Sequence, residues 1–498
     1  MMLELRGKKV LVFGLGVNGG GLGVARFMLE RGAEVRVTDL KTAAQLGSSL
    51  QELGGYQVGY TLGEHKREDF EWADLIVRNQ AVPRESEWLR LARDLGKPVE
   101  MEVSLFFQLC PSQHTIGITG TKGKTTTTTL TGAIMQAWRP DTVVGGNISG
   151  QPPLSLLPHI KEDTWVVLEL SSWQLEGTDE IGVSPHIAAW LNLSPDHLNR
   201  YRDMDDYAEA KFAIFKHQRA GDFAILNVDD PIVRRYEPQL PGGVRPLWFG
   251  EMIECDSQGA YLAGDRIVLD YVKSGLGKVD WQFAGPPTLP GRHNLLNAAV
   301  AALISSLAGV DAATINSTMA AFAGVADRME PVREIAGVRF INDTTSTTPA
   351  STVANLTATP GPVKLLAGGS DKRLEFGGLA AYLATRADVA VYLLAGSATA
   401  KMQHALEQAG VQPAGLFDNF ALAIQAAYDD AVAGDTVLLS PATASFGMFS
   451  NEFERGAQFR QIVKGLTPTL LSSVSGEQKN EEAKLWRPLW SGAGRPQT

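Results

Sequence analysis

Ile116-Gly-Ile-Thr-Gly-Thr-Lys-Gly-Lys-Thr-Thr-Thr-Thr-Thr129 is the stretch around which this chain is organised: an apolar run breaks into glycines and lysines and then becomes helix-compatible. Gly120 and Gly123 allow backbone N–H groups to turn inward around an anion, Lys124 neutralises phosphate charge, and Thr125 can offer its hydroxyl to a cation. The start of the following helix adds partial positive charge. Ile118 stands where the general G-x-x-x-x-G-K-[ST] pattern has its first glycine. A plain Gly-rich turn between strand and helix would leave Lys122 and Lys124 unexplained, so nucleotide binding by Gly120, Thr121, Lys122, Gly123, Lys124, Thr125 and Thr126 is the expectation.

The 498-residue length sets a prior of about three domains. A hydrophobic fraction of 44% with 20% charged residues is ordinary for a globular enzyme. The formal charge of −10, with no long basic face, argues against a nucleic-acid partner. Any anionic ligand must therefore be held by local glycine loops and single lysines. Two cysteines, Cys110 and Cys255, are too few for a disulfide framework or a zinc site, which points to a reducing compartment. The N-terminus is no secretory signal, and no run reaches the ~18 apolar residues a membrane helix needs. A cytoplasmic protein without membrane insertion is expected.

Upstream of the loop, Val10-Leu-Val-Phe13 reads as a buried strand running into Gly14-Leu-Gly-Val-Asn-Gly19, and Glu34-Val-Arg-Val-Thr-Asp39 as a second strand ending in an acid. This G-x-G-x-x-G fingerprint, with an acid about 20 residues on, taken alone predicts a dinucleotide. Ala73-Asp-Leu-Ile-Val-Arg78 is another strand, entering the turn Asn79-Gln-Ala-Val-Pro83. Strand ends on one edge of a parallel sheet share a crevice, which groups Val17, Asn18, Asp39 and Asn79. The plain alternative for Asp39 is a solvated strand-end acid.

Downstream, Glu169 is the one charge in Thr164-Trp-Val-Val-Leu-Glu-Leu170. A carboxylate there is costly unless paired or bound to metal. Ile187-Ala-Ala-Trp-Leu-Asn-Leu193 leads into Ser194-Pro-Asp-His197, and a helix with Tyr207, Lys211 and Phe215 follows. Residues 240–290 read as a small peripheral sheet. His293 and Asn294 open an alanine-rich helix, where they either cap it or reach a ligand. Beyond Arg328, the strands Val338-Arg-Phe-Ile341, Val363-Lys-Leu-Leu366, Val389-Ala-Val-Tyr-Leu-Leu394 and Thr436-Val-Leu-Leu439 each end in polar or glycine-rich residues. That alternation reads as another open α/β sheet. The composition of 467–498 reads as a disordered tail.

Taken in order, the Gly120 to Thr126 loop, Leu168-Glu-Leu-Ser-Ser-Trp-Gln-Leu175, Asn192-Leu-Ser-Pro-Asp-His197, Ala210-Lys211, Gly291-Arg-His-Asn294, Asn342-Asp343, Gly368-Gly-Ser-Asp-Lys372 and Leu439-Ser-Pro-Ala-Thr-Ala-Ser445 resemble the Mur ligase family over residues ~8 to 466. The resemblance implies a three-domain α/β protein: a Rossmann-like domain (1–103) for a UDP substrate, a central P-loop ATP-binding domain (104–327) and a C-terminal Rossmann-like α/β domain (328–466). It is strongest to members that add D-glutamate to UDP-N-acetylmuramoyl-L-alanine in peptidoglycan synthesis, through an acyl phosphate made with ATP. The family's catalytic positions fall on Lys124, His197, Lys211 and Lys372, and its metal ligands on Thr125, Glu169, His197 and a carbamylated Lys211, which implies two Mg²⁺ sites. ATP would also meet His293, Asn294, Arg328 and Asp343, so that the site is split between two domains and closure precedes chemistry. Val17, Asn18, Asp39, Leu40, Lys41, Asn79 and Asn147 would hold the UDP substrate, Thr347, Lys372 and Ser445 the glutamate, and a monomer is expected.

Two departures stand out. Asn342-Asp-Thr-Thr-Ser-Thr347 replaces the Asn-Asp-Ser-Lys-Ala-Thr common among D-glutamate-adding members and resembles the Asp-Thr-Thr string of an L-glutamate-adding relative, so L-glutamate is the alternative. Asn79-Gln-Ala-Val-Pro83 replaces the usual Ser-Pro-Gly-Val-Pro. From other classes, a nicotinamide oxidoreductase built on Gly14 to Gly19 would leave the lysine loop idle. A P-loop switch would leave Glu169, His197 and Lys211 without a role. Folylpolyglutamate synthetase is a nearer rival, disfavoured by the fingerprint domain at the front.

Overall fold

The computed structural model describes residues 4–467 except 17–19, 149, 199, 253–257, 274–276, 290 and 373. Val17, Asn18, Cys255 and all but the first residue of the 467–498 tail therefore lie outside the described residues. The short apolar runs bounded by glycine or polar residues form strands, gathered in three sheets.

The first sheet contains β1 (Lys9–Phe13), β2 (Glu34–Asp39), β3 (Val58–Leu62), β4 (Leu75–Arg78) and β5 (Val99–Met101), all parallel, in the order β3-β2-β1-β4-β5. The order reverses between β1 and β4, and the crevice outside their carboxyl ends is the natural ligand position of a doubly wound sheet. Helix Gly20–Glu30 returns over β1 so closely that a Cβ on Gly21 would lie 2.7 Å from the Leu15 Cα and inside the carbonyl oxygens of Gly14 and Leu15.

The second sheet holds β6 (Thr115–Thr119), β7 (Val143–Gly146), β8 (Val166–Glu169), β9 (Ile187–Trp190), β10 (Phe223–Asn227), β11 (Arg245–Gly250), β12 (Gly259–Ala263), β13 (Arg266–Lys273) and β14 (Gly277–Ala284). Their order is β14-β13-β12-β11-β10-β9-β6-β8-β7, parallel from β7 across to β12 and antiparallel for the last two pairs. The expectation of a separate peripheral sheet over 240–290 is therefore corrected. β11 pairs with β10 in parallel register, so these strands extend the central sheet rather than forming one of their own. Their polar alternation hid this, because the strands far from the middle of a sheet need no continuous apolar run. β8 shows the opposite pattern: Val166 and Leu168 enter one apolar cluster and Val167 the other, so both faces are covered.

One of those clusters runs from Val10 and Val12 of the first sheet to Val166, Leu168 and Trp190 of the second. This shared core explains why residues 1–325 form one compact unit although they contain two sheets. Residues 326–498 form the other unit. Its sheet contains β15 (Glu330–Ile335), β16 (Val338–Asn342), β17 (Val363–Gly368), β18 (Val389–Leu394), β19 (Gly415–Phe417) and β20 (Thr436–Leu439), in the order β15-β16-β20-β17-β18-β19. β20 inserts between β16 and β17, parallel to both, and only β15 is antiparallel to its neighbour. The ends of β16, β20 and β17 thus sit side by side.

Gly21→Ala is expected to lower stability by about 1–3 kcal/mol through backbone overlap, read as a reduced denaturant midpoint. Gly55→Ala, where an added methyl meets open space, should move it by less than about 0.5 kcal/mol.

Candidate active site

The phosphate loop leaves β6 at Thr119 and enters helix Lys124–Trp138 at Gly123, whose φ of 84° is left-handed and where an added Cβ would lie 2.4 Å from Asn297 Oδ1. A side chain at 123 would meet both obstacles at once. Asn192, just past β9, holds the loop from the other side: its Oδ1 accepts from the Lys122 N–H at 2.9 Å and its Nδ2 donates to the Lys122 carbonyl at 3.0 Å. The Thr121 N–H donates to the Asn192 carbonyl at 3.0 Å, and the Thr121 hydroxyl accepts from the Ser194 N–H at 3.0 Å. Asn192 and Ser194 thus do for the loop what its missing first glycine does not.

Two lysines meet at the Gly120 carbonyl. Lys124 Nζ donates to it at 3.0 Å, and to the Thr121 carbonyl at 3.1 Å. Lys211 Nζ, from helix Met204–Lys216, donates to the same oxygen at 2.9 Å and lies 4.8 Å from the centre of the Tyr207 ring. Lys211 is 1% exposed, and burial holds its pKa well below the usual lysine range, with the Lys124 charge adding to the effect. The Lys211 side chain points inward, toward the phosphate loop.

Glu169, the last residue of β8, is 2% exposed. Its Oε1 accepts from Asn147 Nδ2 at 3.0 Å, whereas Oε2 is buried with no hydrogen-bond partner among the described residues. An unpartnered buried carboxylate oxygen is costly and is suited to a cation. His197 lies in a left-handed conformation (φ 54°) with its ring 5.2 Å from that of Trp173 and 6.0 Å from that of Tyr207. Partial burial lowers its pKa, and Lys211, Lys124 and Lys122 act in the same direction against Asp196. Among the described residues no group of three or more His, Cys, Asp and Glu side chains forms a metal cage. A cation held by one carboxylate and substrate oxygens needs none. His293 is exposed at the start of helix Arg292–Ala308, and Asn294 is buried there, accepting from Asn297 Nδ2 at 3.3 Å.

In the first sheet Asp39 is 6% exposed, not a solvated acid: it accepts from the Gly16 N–H at 2.9 Å and the Lys41 N–H at 2.8 Å. It shapes the glycine loop and the turn after β2, leaving Leu40 and Lys41 exposed at the crevice. Asn79 lies beside Gly14, Gly16 and Gly20, its Oδ1 accepting from the Ala81 N–H at 3.0 Å. Gln80, unremarked in the sequence, accepts from Ser171 Oγ at 3.4 Å and so joins this crevice to the end of β8. Asn147, which the resemblance assigns to the UDP substrate, has its amide on Glu169.

In the second unit, Asp343 follows β16 and is fully enclosed. Burial pushes its carboxyl up to about 6, against hydrogen bonds and the nearby Arg328 charge. It accepts from the Met329 N–H at 3.2 Å, from Ser440 Oγ at 3.1 Å and from Asn355 Nδ2. Arg328 is flanked by two left-handed non-glycine residues, Asp327 (φ 64°) and Met329 (φ 44°). Such conformations persist only when their surroundings enforce them. Here Asp327 accepts from Arg460 at 2.7 Å and Asn342 at 2.9 Å, a network the sequence did not announce because its members are far apart. Lys372 Nζ donates to Thr347 Oγ1 at 3.2 Å. Ser445, in the loop after β20, is 2% exposed, and its hydroxyl has no hydrogen-bond partner among the described residues.

A lysine-bearing phosphate loop at the carboxyl edge of a parallel sheet, with a buried carboxylate and a second buried lysine beside it, defines a nucleotide-binding protein of the phosphoryl-transfer class. Comparison with known proteins narrows that class. Residues 8–100 match the Mur ligase MurD-like N-terminal domain, 118–305 the Mur ligase middle domain and 327–443 the Mur ligase glutamate ligase domain. The UDP-N-acetylmuramoylalanine--D-glutamate ligase of Roseiflexus sp. (strain RS-1) is 45% identical over 473 residues, covering 93% of this chain and 100% of that protein. Among solved structures, UDP-N-acetylmuramate-alanine ligase MurC of Thermotoga maritima superposes with a TM-score of 0.58 at 17% identity, over 92% of this chain and 99% of the other. MurF ligase of the same organism, in complex with ADP, gives 0.55 at 18% identity over 93% and 99%. The chain belongs to the Mur ligase family.

The depressed Lys211 pKa fixes the sign of a pH effect. The unfolded chain binds more protons than the folded one between the folded pKa and the unfolded value near 10.5, so this residue's contribution to stability rises with pH across that window. In CO₂-free buffer, the stability of the parent chain relative to Lys211→Met should climb as the pH rises toward 10, as measured by denaturant titration. A flat difference would show that Lys211 is charged in the fold.

Proposed function

We propose that this chain is an ATP-dependent amide ligase that joins D-glutamate to UDP-N-acetylmuramoyl-L-alanine in peptidoglycan precursor synthesis. The observation that carries the reading is the convergence of Lys124 and Lys211 on the Gly120 carbonyl beside the half-partnered Glu169 carboxylate. It is supported by near full-length relatives that are named as D-glutamate ligases. These relatives favour D- over L-glutamate despite the Asp343-Thr-Thr345 string.

In this reading the substrate carboxylate takes the γ-phosphoryl group of ATP, and the glutamate amine displaces phosphate from the acyl phosphate. Lys124 stabilises the charge that develops on the transferring phosphoryl oxygens. Gly120 to Thr126 wrap the phosphates, and His293, Asn294, Arg328 and Asp343 complete nucleotide binding. Thr125 and Glu169 would hold one Mg²⁺, and His197 and a carbamylated Lys211 a second, which would supply further charge neutralisation. The low pKa of Lys211 supports the carbamate, because only the neutral amine attacks CO₂. Val17, Asn18, Asp39, Leu40, Lys41, Asn79 and Asn147 serve the UDP substrate, Asp39 through the glycine loop it shapes and Asn147 through its side of the Glu169 contact. Thr347, Lys372 and Ser445 receive the glutamate, a role supported by the unpartnered Ser445 hydroxyl. Domains of 1–103, 104–327 and 328–466 belong to the same proposal, supported by the three sheets and by family matches over 8–100, 118–305 and 327–443. A cytoplasmic monomer is the setting proposed; among the described residues no helix is long and apolar enough to cross a membrane.

Phosphate release with ATP, UDP-N-acetylmuramoyl-L-alanine and each glutamate enantiomer tests the whole reading: turnover is expected with D-glutamate, and turnover with L-glutamate alone would reassign the specificity. Lys124→Ala should abolish amide formation in a folded protein, since loss of such a charge clamp costs several kcal/mol of transition-state stabilisation (about 3–4). Calorimetry on the full chain should detect UDP binding and no NAD⁺ binding; the reverse would return the Gly14 to Gly19 loop to dinucleotide chemistry. Activity should depend on dissolved CO₂, and full activity of Lys211→Arg without CO₂ would remove the carbamate from the mechanism.

A further inference from the structure

Glu176 lies on helix Ser172–Glu180, outside every group considered so far, and its side chain is only 3% exposed. One oxygen accepts from Arg200 Nη2 at 3.2 Å and faces Arg78 Nη2 at 3.7 Å; the other accepts from the Tyr201 hydroxyl at 3.2 Å and faces Arg84 Nε at 3.9 Å. A single buried carboxylate thus gathers three arginines, of which Arg78 and Arg200 are 1% and 10% exposed. Arg78 also donates to Glu180 at 3.1 Å, so the cluster is a shared network of charges held out of water, which are costly to separate.

The partners point in two directions. Arg200 and Tyr201 donate their backbone N–H groups to the His197 carbonyl at 2.9 and 3.1 Å, closing the turn in which His197 adopts its left-handed conformation. The Arg200 guanidinium also lies 4.6 Å from the centre of the Trp173 ring, which is 5.2 Å from the His197 imidazole. Backbone and side chain of His197 are therefore both referred to residues that Glu176 grips. In the other direction, Arg78 ends β4 and immediately precedes Asn79 at the first-sheet crevice. Arg84, from the same loop, reaches Asp206 at 3.2 Å on the helix that carries Lys211.

We propose that Glu176 is a positioning residue that sets His197 for the reaction and, through Arg78, ties that setting to the crevice of the first sheet. The role rests on the ligase reading for its kinetic consequence, but the placement of His197 can be read without turnover. Glu176→Gln keeps the shape of the side chain and removes its charge. In the folded variant, kcat for ligation should fall at least tenfold while KM for ATP stays within twofold. The rate at which an imidazole-selective acylating reagent modifies His197, followed by mass spectrometry of its peptide, should change at least threefold. Arg200→Lys should show a smaller loss, and the double variant should be no worse than Glu176→Gln alone, because both act along one path. Multiplicative losses, or His197 reactivity within twofold of the parent in folded Glu176→Gln, would overturn the proposal. Should Glu176→Gln fail to fold, Arg200→Lys combined with Tyr201→Phe decides by the same two readings, with parental kcat and parental His197 reactivity counting against it. Absence of turnover in the parent chain would instead refute the ligase reading, leaving the His197 modification rates to judge Glu176.

Discussion

Two lysine side chains, Lys124 and Lys211, donate to one carbonyl oxygen, that of Gly120, and the candidate site is organised around that contact. In a buried setting two such charges repel strongly, and burial disfavours the charged form of either one. Lys211, the more enclosed, is the one whose protonated form is disfavoured. The phosphate loop is consequently not a self-sufficient ring of glycines. Its closure depends on helix Met204–Lys216, on Asn192 after β9 and on Asn297 from helix Arg292–Ala308, three elements that reach it only through the packed central sheet.

All three sheets place their candidate residues at the carboxyl ends of parallel strands, where backbone groups are no longer used by the ladder and glycine or short polar side chains can face a ligand. In the first unit the shared apolar cluster makes that arrangement rigid across two sheets, so that Gln80 and Ser171, Arg78 and Glu176, and Arg84 and Asp206 meet across them. In the second unit the ends of β16, β20 and β17 adjoin because β20 is inserted late. Asp343 can therefore hold Ser440, 97 residues away, and the strained backbone beside Arg328 at the same time.

The sequence showed most of the candidate site because phosphate recognition needs glycines, a lysine and a hydroxyl at fixed local spacing. Glu169 was legible for a related reason: a charge at the end of an apolar strand must be compensated. Asp39 was visible as a strand-end acid but not as a buried acceptor of two backbone N–H groups, because local sequence does not say how a glycine loop folds back. Residues 240–290 were misread as a separate sheet, since alternating polarity describes a strand's exposure and not its neighbour. Glu176 looked like any helix acid, and its three arginine neighbours come from loops and strands up to about 100 positions away (98 from Arg78 to Glu176).

By itself, then, the order of residues determined the α/β alternation, the phosphate loop and the family, because each rests on short-range periodicity or on motifs whose spacing is covalent. Which side chains share an environment was decided only in three dimensions. The inward turn of Lys211 onto the Gly120 carbonyl, the orphaned oxygen of Glu169 and the grip of Glu176 on the His197 turn all arise from sheet order and burial. Burial changes the energy of a charge by amounts that no neighbour along the chain can reveal.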